Sequence, residues 1–257
     1  MTWPFTPLAT FLSKSVPKVT DVFLNALQAA QNAVARPVYL DRLSIRAESY
    51  DGTNVLVYPS AVMIKDSATA EYLYIEPSGY TVTAAWPTSA WRHIYLLSTN
   101  GVASIEVSST APTYSSIATP LFKSGDETRR YLCAVYCDGS AHVLRFGMVD
   151  GRYTYCGEGH TVLSGAAGTG AWASLDLSAT VPAWVRKVAI QVRITNGAGS
   201  ISPVAFRSYG GVEGVSATCA ASAYAQDTVE LPVNSSTIEW NGVASTTTDA
   251  AVLSWEE

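Results

Sequence analysis

Short runs of alternating apolar and polar residues, separated by tight-turn dipeptides, fill this chain of 257 residues from Val38 onward. The dipeptides are Asp-Gly, Ser-Gly and Asn-Gly, and Asn100-Gly101 lies directly between two such runs. A period of two puts successive side chains on opposite faces of a strand, and Asn-Gly between two strands is a strong hairpin signal. The pattern therefore predicts a mainly β fold made of antiparallel strands.

A glycine-rich stretch, Gly157–Trp172, divides the strand pattern into two series. About eight strands are expected before it and about seven after it, and seven strands in about 90 residues make a compact β-sandwich. We therefore expect two antiparallel β-sandwich-like domains at residues 38–155 and 156–257, the second of them jelly-roll-like. Within the stretch, Gly165–Gly170 lacks the lysine and the following helix of a phosphate-binding loop, so it is expected to form a turn between strands.

One segment, residues 16–36, instead has the periodicity of an amphipathic helix. Thr20 is a suitable N-cap and Pro37 ends the segment, so residues 1–37 are expected to form an N-terminal attachment segment that contains this helix. Its apolar stripe has the spacing of a heptad seam: Phe23, Leu27, Ala30 and Val34. Such a seam can pack on the β domain of its own chain, join other copies of the chain, or dock on a different protein.

Composition restricts the partners that such a chain can have. Charged residues make up 14% of the sequence against 48% hydrophobic residues, and the formal net charge is −5. So few charges on so apolar a chain indicate that part of the surface is covered, and other copies of the same chain are the simplest cover. The acidic balance argues against a nucleic-acid partner. No apolar run reaches the roughly 20 residues that span a bilayer, which argues against membrane insertion.

Four cysteines raise the question of a metal site or a disulfide. The spacing of Cys133, Cys137, Cys156 and His160 imitates a zinc site, but the first two fall on one predicted strand. Positions four apart on a strand are roughly 13 Å from each other, whereas two thiolates on one zinc ion lie within about 4 Å. The same separation excludes a disulfide between them. We expect no metal and no cofactor, and buried reduced thiols that suit folding in a cytoplasm.

Three stretches resemble bacteriophage virion proteins of the tail-fibre and receptor-binding kind. The first is VPKVTDVFLNALQAAQN, similar to the segment that precedes the β domains of such proteins. The second runs from Arg92 to Phe146, where a hairpin leads to KSGDETRRYLCAVYCDG, as in a phage fibre module. The third is VPAWVRKVAIQVRIT together with VELPVNSSTIEWNG and the residues after it, which resemble the carboxy-terminal sandwich of trimeric fibres. Trp240 and Trp255 stand where that pattern usually has tyrosine.

The resemblance implies a homotrimer located in the virion and assembled in the cytoplasm of the host bacterium. Its N-terminal segment would attach to other virion proteins, and its C-terminal domain would contact the host surface, with a glycan as the expected ligand. Two alternatives stay open. One is a head decoration or head fibre protein, a tail adaptor or a baseplate subunit without receptor contact, and the other is a glycan-cleaving spike.

Candidate catalytic groups are sparse in this sequence. Three histidines are present, and none accompanies a nucleophile-elbow motif: His93, His142 and His160. Cleavage of a polysaccharide requires two carboxyl groups that converge at roughly 5 to 10 Å. The pair Asp126-Glu127 lies beside two arginines, so ion pairing is its simpler interpretation. We therefore expect no catalytic residues and a protein that is not an enzyme.

Aromatic side chains near turns are the candidates for glycan contact, because their flat apolar faces can stack on sugar rings. Three aromatic residues occupy such positions: Tyr209, Tyr224 and Trp240. Binding sites lie on loops more often than on strand faces, which favours these positions over other aromatic residues. Packing in the core or in a subunit interface is the alternative for each of them.

Overall fold

The computed structural model describes residues 45–60, 62–70, 72–75, 78–114, 121–157, 159–212 and 214–256. Within these residues the regular structure consists of β-strands, and no helix is present. The strands pair in antiparallel sheets, so the prediction of a mainly β fold is confirmed. The predicted helix lies outside the described residues, and so do all four residues of its apolar stripe: Phe23, Leu27, Ala30 and Val34.

The described residues form twenty strands. In the first part of the chain they are β1 (Ile45–Ser49), β2 (Asn54–Pro59), β3 (Val62–Lys65), β4 (Tyr72–Ile75), β5 (Tyr80–Thr83), β6 (Ala90–Thr99), β7 (Val102–Ser108), β8 (Pro112–Tyr114), β9 (Leu121–Lys123), β10 (Asp126–Cys137), β11 (Phe146–Val149) and β12 (Arg152–Tyr155). In the second part they are β13 (His160–Ala167), β14 (Ala173–Asp176), β15 (Lys187–Asn196), β16 (Ser202–Ser208), β17 (Gly214–Cys219), β18 (Tyr224–Pro232), β19 (Thr237–Gly242) and β20 (Thr246–Glu256).

The largest layer is a nine-stranded antiparallel sheet. Its strands follow the order β18, β15, β20, β12, β11, β1, β2 and β5, and β13 also pairs with β20. The long strand β20 is central, because β15 pairs with it along its whole length while β12 and β13 pair with it one after the other. We call β1, β2, β5, β11 and β12 the N-terminal half of this sheet, and β13, β15, β18 and β20 the C-terminal half.

Two smaller sheets pack against the inner face of the nine-stranded sheet. A five-stranded sheet, β7, β6, β10, β9 and β8, covers the N-terminal half, and a four-stranded sheet, β14, β19, β16 and β17, covers the C-terminal half. Alternation turns Ile94 and Leu96 of β6 and Phe206 of β16 inward, where they join one contiguous core. A separate ribbon is formed by β3 and β4. Both halves are thus two-layered, consistent with the predicted sandwich-like architecture.

Aromatic residues join the two halves within this core. The Trp255 ring of β20 stacks on Tyr153 of β12 with ring centroids 3.6 Å apart, and it meets Trp91 of β6 edge-on at 6.4 Å. Trp91 Nε1 donates a hydrogen bond to the Ser178 carbonyl at 2.7 Å. The predicted boundary between residues 155 and 156 falls between β12 and β13, and the sheet and the core are continuous across it. Independent folding of two domains stays a prediction.

The hairpin predicted at Asn100-Gly101 is confirmed. Strands β6 and β7 pair as far as Thr99 and Val102, so Asn100 and Gly101 form the whole connection. Both have a positive φ, 51° at Asn100 and 76° at Gly101, as a type I′ turn requires. Asparagine and glycine tolerate this conformation better than other residues do, which explains why the dipeptide is a reliable signal.

The glycine-rich stretch differs from its prediction. The turn expected at Gly165–Gly170 is wrong for its first three residues, because β13 continues through residue 167 with β-bulges in its pairing to β20. The Gly165 N–H donates to the Asp249 carboxylate at 2.7 Å. A Cβ at Gly168 would lie 2.1 Å from the Val243 carbonyl oxygen, so only glycine permits this approach of two backbones. The glycines allow bulging and close packing here.

A buried carboxylate fixes the turns beside the five-stranded sheet. Asp66 follows β3 and is 0% exposed. Its carboxylate accepts hydrogen bonds from the backbone N–H groups of Ala68, Thr69 and Gly101, at 2.9, 3.1 and 3.0 Å, and from the Ser98 hydroxyl at 2.7 Å. One side chain therefore ties the β3–β4 connection to the β6–β7 hairpin.

A buried amide has the corresponding place in the C-terminal half. Asn196, at the end of β15, is 2% exposed. Its amide nitrogen donates to the carbonyls of Ser200, Cys219 and Ala220 at 2.9, 3.3 and 2.9 Å, and its oxygen accepts from the Ala198 N–H at 2.9 Å. Asn196 thus joins the turn after β15 to the turn after β17.

Candidate functional site

The three aromatic residues predicted to contact a glycan have different surroundings. Tyr209 and Tyr224 are 53% and 59% exposed, whereas Trp240 is 7% exposed and belongs to the core. On β19, Trp240 lies on the inner face with Ile238, and its cross-strand partner on β16 is the buried Phe206. A buried ring has no free face for a sugar, which corrects the assignment of Trp240 as a contact. For this residue the alternative of core packing holds.

The two exposed tyrosines stand at opposite ends of the β16–β17 hairpin. Tyr209 follows β16 at the Gly214 end of β17, and Tyr224 begins β18 beyond the Cys219 end. Five residue steps of about 3.4 Å separate these two ends by roughly 17 Å. Tyr209 and Tyr224 therefore mark two separate surfaces and cannot contact the same sugar ring.

Two residues before Tyr209, an arginine stacks on a tryptophan at the protein surface. The guanidinium carbon of Arg207 lies 4.1 Å from the ring centroid of Trp172, which is 37% exposed. Arg207 Nε donates to Glu239 Oε2 at 2.7 Å, and the Gly210 N–H donates to the same oxygen at 3.2 Å. We call Trp172, Arg207, Tyr209 and Glu239 the tryptophan platform.

Strand alternation builds the platform on the outer face of the four-stranded sheet. Because Phe206 and Trp240 point into the core, the next residues, Arg207 and Glu239, point outward, and they are direct cross-strand partners. Trp172 immediately precedes β14, which pairs with the other edge of β19. The ion pair is partly shielded, with 20% and 15% of the two side chains exposed, so it is stronger than a fully exposed pair. The indole is consequently held in place by a fixed guanidinium.

The chemistry of the platform suits a ligand that has both hydroxyl groups and flat apolar faces. An indole and a phenol provide stacking surfaces, and the Glu239 carboxylate accepts hydrogen bonds. Arg207 contributes N–H donors, but its charge is already neutralised by Glu239. The platform is therefore better matched to a neutral glycan than to an anion.

Sequence reasoning missed Trp172 and Arg207. Trp172 ends the glycine-rich stretch, and Arg207 is one of 16 basic residues in the chain, so neither stands out by itself. A signal was available in the alternation of SPVAFRSYG, which puts Arg207 on the face opposite Phe206. What the pattern does not contain is the pairing of β16 with β19, which brings Glu239 to Arg207.

His93 of β6 is buried among aromatic rings. It is 3% exposed, its ring centroid lies 5.1 Å from that of Trp184 and 6.5 Å from that of Tyr95, and its Nδ1 has no hydrogen-bond partner among the described residues. Burial, with a further contribution from Arg92, lowers the pKa of His93 to about 4. The imidazole is therefore neutral at pH 7.

Several carboxyl groups have a perturbed pKa, and in each of them the pKa is lowered: Asp51, Asp66, Glu106, Asp126, Asp138 and Glu230. For Asp138 the cause is hydrogen bonding from backbone N–H groups, first that of His142. Asp126 pairs with Arg129 at 3.0 Å, as the sequence predicted. A general acid for glycoside cleavage needs a raised pKa instead, so these groups suit structural roles better than that one.

The cysteines were expected to be buried reduced thiols. Cys133, Cys137 and Cys219 are free and buried, but Cys156 is exposed, which corrects the expectation for that residue. Within the described ranges, no cluster of three or more His, Cys, Asp or Glu side chains could hold a metal ion. A search of the same residues for a helix both long and apolar enough to cross a membrane finds none.

Comparison with known proteins yields no family for this chain. No family model matches it, and no curated protein matches it. The structure of an exo-β-1,3-galactanase from Phanerochaete chrysosporium is 15% identical to this chain, with a TM-score of 0.25. The aligned region covers 81% of this chain and 55% of the galactanase chain. The structure of a Cry1Da tryptic core variant from Bacillus thuringiensis is 9% identical, with a TM-score of 0.24, and the aligned region covers 82% of this chain and 51% of the Cry1Da chain. The chain thus spans about half the length of these structures.

Proposed function

We propose that this chain is a structural protein of a bacteriophage virion, a homotrimeric tail fibre or receptor-binding protein without enzymatic activity. The N-terminal segment, with the helix that carries Phe23, Leu27, Ala30 and Val34, attaches it to other virion proteins. Two sandwich-like domains follow, and the C-terminal one contacts a glycan on the host surface. The protein folds and assembles in the cytoplasm of the host bacterium and resides in the virion.

The tryptophan platform is the observation that carries the contact role. It presents a fixed, partly exposed indole on the outer face of the four-stranded sheet, and the exposed phenol of Tyr209 follows the end of β16, two residues after the arginine that holds the indole. A large ligand such as a surface glycan has access to both. Support for a virion protein comes from the resemblance of three stretches of the sequence to phage fibres. The low share of charged residues, 14%, supports assembly with other copies.

The assembly part of the proposal is tested by mass measurement. Purified full-length protein should have the mass of a trimer in native mass spectrometry and in light scattering at micromolar concentration. The double variant Phe23→Asp, Leu27→Asp should weaken the trimer or its incorporation into particles, because two charges would enter the heptad seam. Asn32→Asp, which falls outside the seam, is the matched control. A monomeric wild-type protein would refute the trimer.

The contact part is tested by binding to host cells. Trp172→Ala and Tyr209→Ala should each reduce binding of the purified protein at least about fivefold, because each removes a stacking ring. Tyr224→Ala removes an equally exposed ring at the other end of the hairpin and should change binding little. Loss of binding in Tyr224→Ala alone would move the contact to that end of the hairpin.

The alternative functions give different outcomes in two further measurements. An electron-microscopy map of the intact particle that places the chain on the head, or inside the tail without exposure of the platform, would favour the decoration or adaptor role. Loss of host capsule upon incubation with the pure protein would favour a glycan-cleaving spike. Binding without loss of capsule is the outcome expected from the proposed function.

A further inference from the structure

The open face of the nine-stranded sheet, opposite the core, carries a depression of about 500 Å³. It lies over β1, β11 and β12 in the N-terminal half, and its lining includes Arg46, Tyr50, Gly147 and Arg152. Gly147 has no side chain and lies between its two cross-strand partners, Glu48 and Thr154. A Cβ built at Gly147 would meet no atom within 4 Å. The empty volume above Gly147 is therefore open to a ligand.

Two arginines flank this depression. Arg46 and Arg152 are both cross-strand partners of Val149, one on each side of it. Their Cα atoms are consequently two strand spacings apart, about 10 Å, on the same face. Both side chains are exposed, and neither forms an ion pair with any residue that the structure describes. This distinguishes them from Arg207 of the tryptophan platform, whose charge is neutralised by Glu239.

The neighbouring row of side chains supplies hydrogen-bonding groups. Glu48 and Thr154 flank Gly147 in the same way as the arginines flank Val149. Glu48 lies close enough to Tyr50 to raise the pKa of its hydroxyl, first as a hydrogen-bond acceptor and then by its negative charge. Tyr50 is 59% exposed and Val149 is 53% exposed, so an aromatic ring and an apolar side chain border the same volume.

The depression also contains two carboxylates, and both are engaged within the protein. Asp150 Oδ1 accepts the Ile45 N–H at 3.0 Å at the rim, and Glu48 acts on the Tyr50 hydroxyl, whose pKa it raises. Each carboxylate retains acceptor capacity for neutral hydroxyl groups. Neither guanidinium group forms an ion pair with a described residue, although the pKa of Glu230, lowered first by Lys187, is lowered further by the charge of Arg152. Both guanidinium groups therefore keep N–H donors for an anionic group.

We infer that this depression binds an acidic saccharide, that is, a sugar that bears a carboxylate or a phosphate group. The anionic group lies between Arg46 and Arg152, whose planar guanidinium groups match either anion with paired N–H donors. The sugar ring occupies the volume over Gly147, and its hydroxyl groups reach Glu48 and Thr154. This site is separate from the tryptophan platform, because it lies on the outer face of the other layer. It does not depend on where the protein sits in a virion.

The inference is tested by titrating the purified full-length protein with small sugars under NMR or calorimetric detection. Glucuronic acid and glucose 6-phosphate should bind at least about tenfold more tightly than glucose, and added NaCl should weaken both. Whichever of these two acidic sugars binds more tightly identifies carboxylate or phosphate as the anionic group of the natural ligand. Equal binding of glucose, or tighter binding of the cationic glucosamine, would overturn the inference.

Variants locate the binding in the depression. Arg46→Ala and Arg152→Ala should each weaken binding of the acidic sugars about tenfold, because each removes one charged pair of donors. Gly147→Ile fills the empty volume with a residue that favours strands and should abolish binding. Lys65→Ala removes one positive charge from the β3–β4 ribbon, away from this face, where Lys65 pairs with Glu127 at 3.8 Å, so this control should bind normally. Undiminished binding in the two arginine variants, which change exposed positions, would exclude the site even if Gly147→Ile did not fold.

Discussion

The five-stranded sheet, which covers the N-terminal half, and the C-terminal half of the nine-stranded sheet use buried polar side chains of opposite character to fix their turns. Asp66, beside the N-terminal half, only accepts hydrogen bonds and collects backbone N–H groups and a hydroxyl. Asn196, in the C-terminal half, mainly donates and collects three backbone carbonyls. The groups that a turn leaves unsatisfied therefore decide which polar residue can be buried beside it.

The comparison extends to the response of each half to acid. Asp66 and His93 are ionisable and fully buried beside the N-terminal half. In the C-terminal half the amide of Asn196 does not titrate, and His160 of β13, whose pKa burial also lowers, is only partly buried. Acid should therefore act on the N-terminal half first. The aromatic contacts of Trp255 link the halves, so they decide whether such damage stays local.

Removal of the aromatic link is the strongest test of this comparison. Trp255→Ala should lower the free energy of unfolding by about 3 to 5 kcal/mol, because a buried indole that touches both halves is lost. Urea unfolding should show one transition by tryptophan fluorescence and by circular dichroism, at a lower midpoint than the wild type. Trp172→Ala, at the surface, is the control and should change the midpoint little. Two separate transitions would mean that the halves are independent units.

Acid unfolding tests the contribution of His93. Its pKa is about 4 in the folded protein and near 6.5 when unfolded, so the unfolded state binds the proton first as the pH falls. The free energy of unfolding should thus fall by about 3 kcal/mol between pH 7 and pH 4 on account of this group. In His93→Phe this component should be absent. Equal pH profiles for the variant and the wild type would contradict the assignment.

Truncation of the buried amide tests the C-terminal half. Asn196→Ala should lower the free energy of unfolding by about 1 to 3 kcal/mol, because buried carbonyls lose their donor. Since no ionisable group is removed, the loss should be the same at pH 5 and pH 7. Asn196→Asp should destabilise the protein more than Asn196→Ala at neutral pH, since a carboxylate would face three carbonyls. Thermal melts of the two variants at both pH values provide the measurement.

Replacement of the buried carboxylate should give the smallest effect. Asp66→Asn keeps an oxygen acceptor for most of the donors but turns an amide N–H₂ toward at least one of them, so a modest loss of stability is expected at pH 7. Hydrogen bonds, first that of the Gly101 N–H, lower the pKa of Asp66. Its stabilisation is therefore complete above the unfolded pKa of 3.8 and is lost progressively as the pH falls from there through the lower pKa of the folded state. The difference in melting temperature between Asp66→Asn and the wild type should therefore be smaller at pH 3 than at pH 7.

Local patterns predicted most of the strands and their turns, because alternation and turn dipeptides act over a few residues. The hairpin at Asn100-Gly101 and the strand that ends at Cys137 are both present. Trp240 was assigned to the surface because it precedes a turn, although the alternation in STIEWNG puts it with Ile238 on the inner face. For this residue, periodicity was the better guide than proximity to a turn.

Long-range pairing is the part that local patterns do not contain. The platform needs β16 beside β19, and the depression needs β1 beside β11 and β12, with more than 90 residues between Arg46 and Gly147. Alternation tells which face a side chain occupies, but the choice of neighbouring strand depends on the packing of the whole core. The close approach of Gly168 to Val243 is likewise visible only once both backbones are in place.

The position of β20 in the chain has a consequence for biosynthesis. Its partners β12, β13 and β15 all precede it in the sequence, so the ribosome makes them first. Until β20 emerges, these strands have an unpaired edge, and a nascent chain with such edges is prone to pair with its neighbours on the same messenger RNA. Completion of β20 closes these edges in a single step. Translation that stops before Thr246 should therefore yield aggregates rather than a shorter folded product.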